Sequence, residues 1–180
     1  METFETSRLL LRPIAESDAP YIQQYINDWE VIKYLKNCTW PYPEDGALTY
    51  IRSMLVKIAE AKAYTWGICL SQTPMETIGL INYQRTPKGV SLGFWLGRKF
   101  QGNGYMWEAV CAANDYIFDV AKIPALRITN AISNVPSHHM QEKSGAKLLC
   151  VEACSGYPLG DKQHEVWELT SEAWRARKKS

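Results

Sequence analysis

Apolar residues recur along this chain with two different periods, and the order of those periods lays out its elements. Leu9, Leu10 and Leu11 form a short apolar block that Pro13 closes, which predicts a first strand over residues 8–13. Ser17-Asp18-Ala19-Pro20 supplies capping side chains and an early proline, so a helix starts there, with Tyr21, Ile22, Tyr25 and Ile26 on its apolar face. A second short helix is expected through Val31, Ile32 and Leu35. Residues 37–46, with Trp40-Pro41-Tyr42-Pro43, read as a loop. A helical period resumes near Ala47 and runs through Ile51, Leu55 and Ile58.

The period then shortens to two. Strands are expected over 64–70, 77–84 and 90–96, separated by the turn residues of 71–74 and 86–89. In the third, Val90, Leu92, Phe94 and Leu96 face one way, and Ser91, Gly93 and Trp95 the other. Two tight turns in succession imply an antiparallel meander. Gly102-Asn103-Gly104 opens a long helix carrying Met106, Ala109, Val110, Ala113, Ile117 and Val120, limited by Pro124. Strand 126–132, helix 134–143 ended by Gly145, strand 147–154 and strand 164–169 complete the chain. The pattern is that of an α+β fold, one domain over residues 1–180, with a solvated basic tail from about 174.

Composition narrows the class. With 46% hydrophobic residues and 7 Trp, 10 Tyr and 4 Phe, the chain can bury a full core, which excludes intrinsic disorder. A net charge of +1 recruits neither nucleic acid nor a membrane surface. No apolar run approaches the roughly 20 residues that span a bilayer, and the first residues lack the pattern of a signal peptide. The five cysteines are odd in number and dispersed, with no metal-ligand spacing, so buried reduced thiols and a cytoplasmic location are expected and no metal.

Gly102-x-Gly104, between a strand and a helix, has two readings. Free N–H groups at a helix start bind a phosphate well; equally, two glycines suit a tight turn at positive φ. The dinucleotide-binding fingerprint is not met, because the third glycine is missing and the preceding strands are antiparallel.

In order and spacing, Gly93-Phe94-Trp95-Leu96, Phe100-Gln101-Gly102-Asn103-Gly104-Tyr105-Met106, Asn134-Val135-Pro136-Ser137 and Glu142-Lys143-Ser144-Gly145-Ala146 resemble the GNAT N-acetyltransferases. More narrowly they resemble the RimJ/RimL type, which acetylates ribosomal-protein N-termini. The opening Thr6–Pro13 segment and Ile78-Gly79-Leu80-Ile81 extend the resemblance over most of the chain. It implies a mixed, mostly antiparallel sheet of six to seven strands with helices on both faces. It also implies acetyl-coenzyme A as donor, an amine as acceptor, and a monomer or homodimer.

Site residues follow from the same resemblance. Trp95 and Leu96 would hydrogen-bond the cofactor arm, and the backbone from Gln101 and Gly102 through Asn103, Gly104, Tyr105 and Met106 would cradle its pyrophosphate. Lys99, beside Arg98, stands where the family usually has Gln or Arg; either base would neutralise a phosphate of the cofactor as a point charge, although Lys loses bidentate geometry. Asn134 matches an asparagine on the cofactor arm, with a plain helix cap as the alternative. Ser137 matches a serine that assists the departing thiolate, again with a capping alternative. Gln141 and Thr129 replace a tyrosine acid and a glutamate base found in many relatives. His138 and His139 are expected on the surface. Glu165, next to His164, is implied as an acceptor-amine contact, with an idle strand-end charge as the alternative. Trp40 and Tyr42 border the acceptor cleft by resemblance, and Trp66 is a further acceptor candidate whose alternative is the core.

The missing base favours a weakly basic acceptor. An α-amine near pKa 7.7–8.0 is already partly neutral at pH 7, whereas lysine near 10.4 costs about 3.4 kcal/mol more to deprotonate. Peptide N-termini are therefore the first expectation. Small amines (aminoacylated nucleotides, antibiotics, polyamines) and a non-catalytic acyl-coenzyme A-binding module are the alternatives.

Overall fold

The computed structural model describes residues 1–177. Strands β1 (Phe4–Glu5) and β2 (Leu9–Pro13) form a short hairpin. Helices α1 (Ala19–Ile26), α2 (Trp29–Ile32) and α3 (Gly46–Ala59) follow. The proline at the start of α1 is the expected start signal, and Asp28 caps α2, its carboxylate accepting from Glu30 N at 2.8 Å. The meander is β3 (Ala63–Leu70), β4 (Thr73–Thr86) and β5 (Gly89–Leu96), all antiparallel. Then come α4 (Tyr105–Asp119), β6 (Ala125–Ala131), α5 (Val135–Ser144), β7 (Lys147–Ala153), β8 (Gln163–Thr170) and α6 (Ser171–Ala176).

One sheet holds all eight strands in the order β1-β2-β3-β4-β5-β6-β8-β7. The expectation of six to seven strands falls short by β1, whose two residues are too few to show a period. Adjacent residues of β4 separate the two faces. Leu80 joins Ile22, Ile26, Ile51 and Met54 under α1 and α3, while Ile81 joins Val110, Ala113 and Ile117 under α4.

The end of the chain departs from expectation. Far from starting a solvated tail, Trp174 is fully buried, and its indole donates to Asp115 at 2.8 Å. Arg175 pairs with Asp119 at 2.8 Å, and Arg177 lies 3.1 Å over the Trp174 ring. One large apolar side chain among basic ones was enough to dock α6. Lys178 and Lys179, also assigned to the tail, lie outside the described residues.

The feature that makes a site is an interrupted pairing. β5 and β6 run parallel, but their register covers only Val90↔Leu126, Ser91↔Arg127 and Leu92↔Ile128. Beyond Leu92 the strands part, so residues 93–96 have no strand neighbour on that side, while β6 stays paired to β8 through Ala131. Backbone N–H and C=O groups released there need partners, and a bound molecule can supply them.

Candidate active site

Two cavities meet at this gap. One, of about 280 Å³, lies against Leu96, Gln101, Gly102, Gly104, Tyr105 and Met106. The other, of about 360 Å³, reaches down to Ile22, Tyr42, Tyr50, Asn82 and Ile128. Phe94, Trp95, Asn134 and Ser137 line both. β5 can carry Trp95 here because β4 places Gly79 beneath it: a Cβ at Gly79 would lie 2.3 Å from Trp95 O.

The loop before α4 has a geometry that can receive an anion. Gly104 is the helix N-cap at φ +78°, a left-handed conformation that costs a β-branched residue dearly. The N–H groups of the first turn have no intrahelical partners and carry the positive end of the helix dipole. Asn103 braces the loop through Nδ2, which donates to Phe100 O at 3.3 Å and Gln101 O at 3.0 Å. Gln101 Nε2 donates to Leu96 O at 2.9 Å, tying the loop to β5.

Arg8 supports the same loop from β2's approach, a role that sequence reasoning missed. Its Nη1 donates to Asn103 O at 3.0 Å, its guanidinium lies 4.7 Å over the Tyr105 ring, and it pairs with Glu108 at 2.7 Å. No local signal could reveal this, since 95 residues separate Arg8 from Asn103. Lys99 turns away instead: its ammonium lies 4.7 Å over the Tyr25 ring and 3.6 Å from Glu76, and the side chain lines neither cavity. The expectation that Lys99 faces the pyrophosphate is corrected by this pairing.

At the start of α5 the cap is Asn134, not Ser137. Asn134 Oδ1 caps the helix by accepting from Ser137 N at 3.3 Å, yet Asn134 also lines both cavities. Ser137 is buried, and its Oγ accepts from Gln141 Nε2 at 3.4 Å. The serine proton has no acceptor among the described residues. Gln141, in the place of the tyrosine acid, is itself buried and orients the hydroxyl.

These cavities match a known scaffold. Residues 8–147 match the model of the acetyltransferase (GNAT) domain. The uncharacterized N-acetyltransferase p20 of Bacillus licheniformis is 30% identical over 141 residues, 76% of this chain and 78% of that one. The chain belongs to the GNAT acetyltransferase family. Among solved structures, RimL, a ribosomal L7/L12 α-N-protein acetyltransferase in complex with coenzyme A, superposes with a TM-score of 0.81 at 18% identity. That match covers 96% of this chain and 99% of RimL. The ribosomal-protein-S5-alanine acetyltransferase of Vibrio fischeri gives 0.80 at 18% identity, covering 97% of this chain and 99% of that one.

GNAT acetyltransferases use acetyl-coenzyme A, and the smaller cavity suits such a group. Its floor is a glycine loop at a helix start, and its one acidic neighbour, Glu30, is already paired with Lys33 at 2.7 Å. On the other side of the gap, Tyr42 lines the larger cavity, and burial pushes its hydroxyl up to about 12. Burial pushes Tyr157 up to about 12 and Tyr50 higher still. All three stay protonated at neutral pH.

Two aromatic expectations are corrected. Trp66 is fully buried, stacked near Tyr64 and Phe4, with its indole donating to Glu2 O at 2.8 Å; it is core. Trp40 is 45% exposed against Trp29 and lines neither cavity. The thiols are all free, but only Cys69 is fully buried and Cys150 is exposed, so the expectation of buried cysteines holds in part.

Glu165 also departs from its expected role. It is buried behind α5, lines neither cavity, and accepts from Asn130 Nδ2 at 2.8 Å, Trp167 Nε1 at 3.0 Å and His138 Nδ1 at 2.8 Å. Burial pushes its carboxyl up, but these three donors outweigh burial and hold it below its ordinary value. The hydrogen bond to Glu165 raises His138 in turn. His138 is therefore a structural partner, not the idle surface residue expected. His164, at the start of the same strand, is buried and pushed down by desolvation and then by the charge of Lys36.

Proposed function

We propose that the protein transfers acetyl from acetyl-coenzyme A to a weakly basic amine, best met by the α-amine of a peptide N-terminus. The observation that carries this reading is the junction of two cavities at the parted β5–β6 edge, with Trp95, Asn134 and Ser137 on both. The acyl thioester is the electrophile that the donor supplies when bound. Backbone groups of residues 93–96 orient the donor arm, and the first turn of α4 after Gly104 receives its phosphates. Ser137 Oγ–H faces the junction as a proton donor for the leaving sulfur, held by Gln141.

The acceptor side supports the choice of amine. Among the described residues no carboxylate lines the larger cavity, and burial holds Tyr42, Tyr50 and Tyr157 protonated. A lysine-type amine would find no base there, while an α-amine is already partly neutral. Thiol release should be measured with Ser- and Ala-initiated peptides, the same peptides blocked by Nα-acetylation, and a peptide whose only amine is lysine. Turnover confined to free N-termini supports the reading; turnover of lysine alone, or of none of these, would end it.

A further inference from the structure

The rim of the larger cavity carries one exposed lysine with no carboxylate partner among the described residues. Among the described residues Lys36 is the only Lys, Arg, Asp or Glu on its wall; Asn82, Thr129 and Asn130 are neutral. Among the described residues no carboxylate pairs with Lys36, although Lys33 reaches Glu30 at 2.7 Å and Lys99 reaches Glu76 at 3.6 Å. Its contact is aromatic: the ammonium sits 5.9 Å from the Tyr157 ring, which lines the same cavity. The backbone on either side is tied down. Asn37 N donates to Gly156 O at 2.7 Å, and Leu159 N donates to Lys33 O at 3.2 Å, so the segment bearing Lys36 and the loop before β8 form one wall.

We infer that the acceptor carries a carboxylate close to its reacting amine, and that Lys36 receives it. The inference rests on the acetyl-transfer reading and deepens it. A polycation entering this cavity meets no countercharge and one like charge, both unfavourable. An acceptor bearing one carboxylate loses its charge imbalance at the rim and leaves only the neutralised amine to pass between the tyrosines. Rim charges act on encounter and on KM more than on the chemical step, so the signature lies in kcat/KM. The carboxylate has two possible sources, an acidic side chain following the first residue of a peptide or the free carboxylate of a dipeptide.

Five acceptors separate these sources: the amides of Ser-Asp-Ala, Ser-Asn-Ala and Ser-Lys-Ala, and Ser-Ala with a free or amidated C-terminus. For the full chain, kcat/KM should fall from Asp through Asn to Lys, by about fivefold overall, the upper range for one exposed ion pair. Lys36→Glu should reverse that order, and Lys36→Gln should flatten it. A preference confined to free Ser-Ala over its amide assigns the carboxylate to a short free acceptor and still supports Lys36. Calorimetry of the same peptides in the presence of coenzyme A reads the order independently of turnover. Ordered binding without turnover would sink acetyl transfer and keep the role of Lys36. Rates and affinities alike within twofold, or an order unchanged in Lys36→Glu, would overturn it.

Discussion

Gln141 Nε2 donates to Ser137 Oγ at 3.4 Å across one turn of α5, so the serine receives a hydrogen bond and keeps its own proton to give. A hydroxyl held this way can protonate a leaving thiolate of pKa about 8.5 without being a strong acid. Ser137→Ala should lower kcat about 10²-fold while the KM for acetyl-coenzyme A barely moves. Gln141→Leu, which keeps the hydroxyl but releases it, should lower kcat by a smaller factor. Steady-state kinetics on both variants decide the matter; wild-type kcat in Ser137→Ala would reduce the serine to a helix residue.

Gly104→Val tests the anion loop. At φ +78° the valine is strained by about 1–2 kcal/mol, and its side chain grows toward Arg8 Nη2, already 3.5 Å from where the Cβ would stand. Affinity for coenzyme A should fall at least tenfold in a protein that still unfolds cooperatively. Calorimetry alongside thermal unfolding separates lost binding from lost fold.

Arg8→Ala should raise the KM for acetyl-coenzyme A severalfold and leave the acceptor KM unchanged. The reason is indirect: Arg8 holds Asn103 O and stacks on Tyr105, so its loss frees the loop without touching the acceptor cavity. Equal changes in both KM values would show a general loosening instead.

Trp66→Ala should cost about 3–5 kcal/mol in denaturant unfolding, because a fully buried indole with a hydrogen bond to Glu2 O leaves a large cavity. Trp40→Ala should stay within about 0.5 kcal/mol of wild type, with unaltered kinetics. The converse result would return Trp40 to the acceptor wall.

These two tryptophans show where the sequence stops being legible. Strand and helix periods placed nearly every element, because each is set by neighbours two to four residues away. The glycines of 102–104, Asn134 and Ser137 were readable because motif spacing brings them to one junction. The fates of Trp40, Trp66, Lys99 and Glu165 depend on partners 11 to 64 residues away, which no local pattern encodes. An aromatic in a loop and one in a strand look alike as candidates; only burial tells them apart.

Glu165 and His138 join β8 to the first turns of α5, where Ser137 also lies, and their bond should make stability depend on pH. His138 is raised above its ordinary 6.5, first by the hydrogen bond to Glu165 and then by the charges of Glu165 and of Glu142, 3.5 Å away. Its contribution is therefore fully present below about pH 6.5 and lost as pH rises through the raised value. Glu165 is lowered below its ordinary 4.5, so its contribution is present above about 4.5 and lost as pH falls through the lowered value. The two overlap fully between 4.5 and 6.5. A double-mutant cycle of His138→Gln and Glu165→Gln, read by denaturant unfolding, should give a larger coupling at about pH 5.5 than at about pH 9. The single Glu165→Gln variant should also lose more stability at the lower pH, because it keeps an acceptor but removes the negative charge that faces a protonated His138. A coupling that stays flat across that range would mean the pair is held as a neutral hydrogen bond, beside the packing of His138 on the Trp167 ring at 5.1 Å.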